Sequence, residues 1–164
     1  MCIGCMCVRD VDTAKANESV AMIAKRMHQR AVGTLIVVNE ACQPIGIVTD
    51  RDLVTRVVAK SLDPIETLVR DVMTMAPKTV PEDCSSESAL LIMRTGRFRR
   101  LPVVDQDNQL IGLVTLDDML MLLAEELSQV GRLLKRETPQ AVVEDQDGCN
   151  ISRFQNESRM GVGD

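Results

Sequence analysis

Leu35–Asp52 reads LIVVNEACQPIGIVTDRD and Leu101–Asp118 reads LPVVDQDNQLIGLVTLDD, one pattern written twice at an offset of 66 residues. Working outward, the correspondence holds without a gap from residues 13–52 onto 79–118 and includes Thr13/Thr79, Ser19/Ser85, Met27/Met93, Gly46/Gly112, Thr49/Thr115 and Asp52/Asp118. A duplication of this kind implies two like units packed across a pseudo-two-fold axis, because neither buries its apolar face alone. Such an axis generates paired clefts to which both units contribute.

Within each copy the hydrophobic period changes along the chain. Val20, Ile23, Ala24 and Met27 fall on one face of a helix capped by Ser19, and Ala89, Leu90 and Met93 repeat that face after Ser86. Leu35–Val38 and Ile45–Val48, separated by a turn at Asn39–Pro44, predict a hairpin, as do Leu101–Val104 and Ile111–Val114 around 105–109. A helix bearing Leu53, Val54, Val57 and Val58 follows the first hairpin, and a longer one, from about Asp117 to Lys135, follows the second. The expectation is an α+β fold of two β-α-β-β-α units, with a first repeat at 1–66, a second at 67–136 and an acidic, disordered tail at 137–164.

Composition narrows the functions available. The chain of 164 residues is 45% hydrophobic but only 1% aromatic, with no Trp or Tyr, two Phe and ten Met. Stacking platforms for bases are therefore scarce, which argues against single-stranded nucleic acid as a ligand. The net charge is −5, and the tail from Glu137 carries six acids against two Arg, so the rest of the chain lacks a basic footprint. No apolar run is long enough for a membrane span and no secretory pattern is visible, so a cytoplasmic protein is expected.

Each second strand ends in Thr-x-x-Asp: Thr49 to Asp52, and Thr115 to Asp118. The spacing is that of a capping box, in which hydroxyl and carboxylate satisfy free amides at a helix start. A helix N-terminus at a strand end is also where anionic and sugar groups bind, and a carboxylate there can accept both hydroxyls of a ribose.

With these residues in view, GIVTDRD and GLVTLDD, each preceded by Val-Val and a turn, resemble the CBS domain, named for cystathionine β-synthase. The tandem resembles a Bateman module over about residues 5–127, and Val72-Met73-Thr74 before the second copy is similar to the family as well. The resemblance implies two CBS units packed sheet to sheet. It also implies an adenosine-containing regulatory ligand (AMP, ADP, ATP or S-adenosylmethionine) and signalling to an attached or partner protein. Carried over by position, Asp52 and Asp118 would hold ribose hydroxyls, and Thr49 and Thr115 would sit by ribose or phosphate. Gly33-Thr34 and Arg99-Arg100 would reach phosphates, and Ile47 and Leu113 would flank adenine. Where the second copy opens with Val72-Met73-Thr74 the first has Met6-Cys7-Val8, which implies a less complete pocket in the first copy.

Other groupings carry less. Cys2, Cys5 and Cys7 lie close in sequence without an evident fourth ligand, so no metal site is expected. Leu120, Leu123, Leu127, Val130 and Leu134 are spaced 3-4-3-4 on the last helix and suggest a homodimer or partner helix. No phosphate loop, H-E-x-x-H or nucleophile–base pairing is present, so no catalytic residue is assigned and no cofactor is required. The reading is a non-enzymatic adenine-nucleotide sensor acting on an unknown regulated protein. The alternative is an interaction module with empty clefts and a Cys-based metal or redox role.

Overall fold

A computed structural model describes residues 2–137. The acidic tail beyond Glu137 lies outside the described residues. The first repeat runs β1 (Thr13–Ala14), α1 (Val20–Arg30), β2 (Thr34–Val38), β3 (Pro44–Thr49) and α2 (Asp50–Arg56). A short α3 (Val69–Val72) and β4 (Thr74–Met75) lead to the second repeat: β5 (Val80–Pro81), α4 (Ser86–Gly96), β6 (Arg100–Val104), β7 (Leu110–Thr115) and α5 (Leu116–Glu137). The β-α-β-β-α order therefore occurs twice, and residues up to Leu127 form one compact unit.

The two sheets have like pairings. β1 pairs parallel to β2 and β2 antiparallel to β3, with Thr34 opposite Thr49. β5, β6 and β7 repeat this, with Arg100 opposite Thr115. Each hairpin slips register once, at Val37/Val38 and at Val103/Val104, next to a turn in which Cys42 or Asn108 adopts a positive φ of 59°. Asn39 Oδ1 accepts from the amides of Ala41 and Gln43, and Asp105 Oδ1 from those of Asp107 and Gln109, which fixes both turns.

The cores are aliphatic, as the composition requires. Ile23, Leu35, Val37, Val48 and Val69 are fully buried in one, and Ile3, Val80, Leu101, Val103 and Val114 in the other. Ile36 points to the opposite face of β2 from Leu35 and Val37, yet is also fully buried. The hairpins meet directly, since Leu110 N donates to Cys42 O and Gln43 Nε2 to Asp107 O.

The lead-in segments are exchanged. β4, which precedes the second repeat, pairs with β3 of the first: Gly46 with Met75 and Ile47 with Thr74. Val8, which precedes the first repeat, bridges Leu113 of β7 in the second. Val69, Val72 and Met73 accordingly pack in the first core, whereas Ile3, Met6 and Cys7 pack in the second. Glycine at 46 and 112 permits this close approach: a Cβ there would lie 2.4 Å from Met73 Sδ and 2.5 Å from Cys7 Sγ. The sequence-based expectation that Met6-Cys7-Val8 serves the first copy's pocket is thus corrected. Its side chains have their room against β7, not β3.

Three helix expectations also change. α2 ends at Arg56 and Val57 is buried beyond it, leaving Val54 and Val58 exposed. On α4 the inward stripe is Ala89, Ile92 and Met93, and Leu90 is exposed. The capping serine of α4 is Ser85, which accepts from Ser88 N and matches Ser19 on α1.

Candidate functional site

Both Thr-x-x-Asp motifs form capping boxes. Thr49 N and Oγ1 donate to Asp52 Oδ2 at 2.9 and 2.7 Å, and Asp52 N returns a bond to Thr49 Oγ1 at 3.2 Å. Thr115 and Asp118 repeat this at 2.8, 2.8 and 3.1 Å. The box comes from local sequence, but it fixes the carboxylates at a defined place beside each sheet. It also commits both threonine hydroxyl hydrogens to Asp. Thr49 and Thr115 therefore orient the carboxylate, and their hydroxyls are not spare donors for a phosphate.

The boxes differ in the second carboxylate oxygen. Asp52 Oδ1 lies 3.1 Å from the Arg56 guanidinium, which also donates to Val72 O and Thr74 Oγ1 at 2.7 and 3.0 Å. The residue corresponding to Arg56 in the second repeat is Leu122. Asp118 Oδ1 has no hydrogen-bond or ion-pair partner among the described residues.

Asp118 lies at the wall of a cleft of about 230 Å³ lined by both repeats. Val32 and Gly33 precede β2 and Thr34 opens it, Leu113 and Thr115 come from β7, and Arg100 from β6. The connecting segment adds Val8, Asp10, Val11 and Asp12. Thus six of the ten residues singled out by sequence (Gly33, Thr34, Arg100, Leu113, Thr115 and Asp118) converge here. Thr49, Asp52 and Ile47 occupy the corresponding places in the first repeat and do not line this cleft. Arg99 does not line it, and its guanidinium pairs instead with Asp117 at 3.4 Å on the surface.

Two features of the cleft go beyond the sequence reading. Thr34 is only 9% exposed, and its buried Oγ1 has no hydrogen-bond partner among the described residues. An orphaned hydroxyl of this kind is uncommon and is satisfied when a ligand or water brings a partner. Secondly, Asp10 and Asp12 stand at the rim, held by Arg30 at 2.8 and 2.9 Å. These bonds, from Asp10 and then Asp12, push the Arg30 pKa further above its ordinary value. Nothing in the duplicated motif points to this trio. The trace is in the alignment differences, with Asp10, Asp12 and Arg30 in the places of Ala76, Lys78 and Gly96.

The cysteines do not form one cluster. Cys2 and Cys5 are in contact, but Cys7 Sγ turns to Gly4 O and packs under Gly112. Among the described residues no three His, Cys, Asp or Glu side chains are placed to hold a metal ion. No helix among them is long and apolar enough to cross a membrane.

The fold and cleft define a paired-repeat module with a cleft between its halves. The CBS domain profile matches residues 3–59 and 69–125, more than half of the chain, and the protein belongs to the CBS domain family. An uncharacterized protein of Methanopyrus kandleri is 40% identical over 120 residues, which covers 73% of this chain and 61% of that one. Inosine-5'-monophosphate dehydrogenase of Methanocaldococcus jannaschii is 34% identical over 113 residues, covering 69% of this chain but 22% of the enzyme. This chain thus spans less than two thirds of either relative. Among solved structures, CBSX2 in complex with AMP superposes with a TM-score of 0.66 at 25% identity, covering 76% of this chain and 97% of that one.

Proposed function

We propose that the protein is a non-catalytic regulatory module that binds one adenosine-containing ligand in the cleft between Thr34 and Asp118. The observation that carries this reading is that Asp118, whose Oδ1 has no protein partner among the described residues, and Thr34, whose buried hydroxyl is unsatisfied, line the same cleft. Asp118 accepts the ribose hydroxyls, with Oδ2 already anchored by Thr115. The adenine ring lies among Val8, Val11, Val32 and Leu113, since the cleft offers aliphatic walls and no aromatic ones. Arg100 meets a phosphate or other anionic tail. Against this guanidinium stand Asp10 and Asp12 with their Arg30, so the local charge does not suit a polyphosphate. AMP, 5'-methylthioadenosine and S-adenosylmethionine are favoured over ATP. The relative solved with AMP supports the ligand class.

Signalling follows from the cleft's construction. A ligand touching both repeats and the connecting segment favours one packing of the repeats over another, and a partner protein reads that shift. Homodimerisation belongs to the same reading. Leu90, Leu91, Leu120, Leu123 and Leu127 on α4 and α5 are all at least 41% exposed, an apolar helical surface suited to a second copy.

Isothermal titration with AMP, ADP, ATP, 5'-methylthioadenosine and S-adenosylmethionine tests the proposal. Asp118→Ala is expected to weaken the best ligand by about 1–3 kcal/mol, the scale of a lost hydrogen bond to a charged group. No binding of any of the five, or unchanged affinity in Asp118→Ala, refutes it.

A further inference from the structure

Cys2 and Cys5 face each other across the short 3-10 turn Ile3–Cys5, with their sulfurs 2.8 Å apart. The turn is well anchored. Ile3 is fully buried, Ile3 N donates to Cys84 O, Gly4 N donates to Glu82 O, and Cys2 bridges Ser85. Both thiols nevertheless reach the surface, Cys5 being exposed and Cys2 half-buried. Local helix chemistry does not account for the pair. At the corresponding turn of the other repeat stand Leu68 and Asp71, where Asp71 Oδ2 accepts from Leu68 N at 3.3 Å as a helix cap. Cys5 gives up that carboxylate, and Cys2 gives up an apolar side chain.

We propose that Cys2 and Cys5 are a thiol–disulfide exchange site that reacts with low-molecular-weight disulfides, Cys2 attacking and Cys5 resolving. The Cys2 thiolate attacks one sulfur of the small disulfide, whose S–S bond breaks, and one small thiol leaves with a proton. Cys5, giving up its own proton, then attacks the Cys2 sulfur and expels the second small thiol. The protein loses two electrons and two protons, and the small disulfide gains both. Closing the bond draws the sulfurs from 2.8 Å to about 2.05 Å. Ile3 need not leave the core, so both redox states share one fold. The mutual hydrogen bond lowers the Cys2 pKa and raises that of Cys5, which favours Cys2 as the attacking thiolate. Cys84, nearby in the fold, is a poor competitor because burial and then Asp83 raise its pKa.

The site is independent of the adenosine reading, but it sits on the segment that continues to Val8, which lines the cleft. The test uses the full reduced chain with excess glutathione disulfide, followed by mass spectrometry and peptide mapping. The expected product lacks two hydrogens, with a Cys2–Cys5 link and no retained glutathione. Cys5→Ser is expected to stall with one glutathione on Cys2, while Cys2→Ser reacts several-fold more slowly. In alkylation against pH, the Cys2 thiolate is expected to appear at lower pH in the native chain than in Cys5→Ala. Stable glutathione adducts on the native chain, a link through Cys7 or Cys84, or coincident pH profiles overturn the proposal.

Discussion

Replacing Gly112 by Ala tests the exchanged lead-in segment more directly than any change in the cleft. A Cβ at 112 lies 2.5 Å from Cys7 Sγ, 3.1 Å from Cys7 Cβ and 3.1 Å from Val8 O. The sulfur can swing only about χ1. The other two atoms move only with the backbone, and Val8 O is pinned by a 2.9 Å bond from Leu113 N. Gly46→Ala is the internal control, because its Cβ meets Met73 at Sδ 2.4, Cγ 3.1 and Cβ 3.4 Å. All but the last of these contacts belong to a flexible side chain that can rotate away. Neither glycine has a positive φ, so each alanine gains about 0.4–1 kcal/mol by restricting the unfolded chain. Overpacking costs about 1–3 kcal/mol where the neighbour cannot yield. Gly112→Ala is therefore expected to lose about 1–2 kcal/mol and Gly46→Ala about 0–1. For a chain of this size the former lowers Tm by roughly 2–8 °C, read by calorimetry or circular dichroism. Cys7→Ala in the Gly112→Ala background is expected to recover part of the loss, as contacting residues do in a double-mutant cycle. A loss from Gly46→Ala equal to that from Gly112→Ala refutes the assignment of Cys7-Val8 to β7.

Two further outcomes follow from the side chains around the cleft and on the last helix. Arg100→Ala is expected to reduce affinity for AMP more than for adenosine, whereas Arg99→Ala, paired with Asp117 outside the cleft, changes both little. Titration giving equal losses from the two variants contradicts the placement of Arg100. Light scattering at about 50 μM is expected to report a dimer, and a monomer excludes a stable interface at that concentration. Truncation after Leu127 separates the exposed leucines of α4 and early α5 from Val130 and Leu134: a surviving dimer places the interface on the former.

The repeats, the order of elements along each repeat and the capping boxes were legible because each depends on residues close in sequence. Leu35–Val38 and Ile45–Val48 are apolar runs set off by a turn, and Thr115 meets Asp118 three residues on. The α2 boundary was not, because Val57 and Val58 extend the apolar period past Arg56 while only Val57 reaches the core. Leu90 was misplaced for a related reason: a helix with apolar residues at 89, 90, 91, 92 and 93 has no single face that period alone can select. The exchange of lead-in segments was invisible because a two-residue strand has little sequence signal, and its pairing is set by room beside Gly46 and Gly112. The acidic rim was missed because Asp10 and Asp12 acquire meaning only when Arg30, a helix away, bonds both.

The same exchange explains why two nearly identical Thr-x-x-Asp motifs offer unequal sites. In the first repeat, Arg56 joins Asp52 to Val72 O and Thr74 Oγ1, so the carboxylate is tied to the lead-in strand lying on its sheet. A ribose arriving at Asp52 must displace that guanidinium. The ion pair is partly solvent-screened and contributes about 0.2–1 kcal/mol. Each of the other two hydrogen bonds adds about 0.5–1.5 kcal/mol if it is lost as well. Together these terms amount to about 1–4 kcal/mol, which is between several-fold and nearly a thousandfold in affinity. At Asp118 there is no such cost, because Leu122 stands where Arg56 stands and Val8 offers only an apolar wall. The first carboxylate thus serves the fold by tying α2 to the lead-in strand, and the second carries no such tie among the described residues. Under the proposed adenosine reading, one ligand per chain, held at Asp118, is the expected stoichiometry. Two equal sites by titration would mean that Arg56 yields its three partners without penalty.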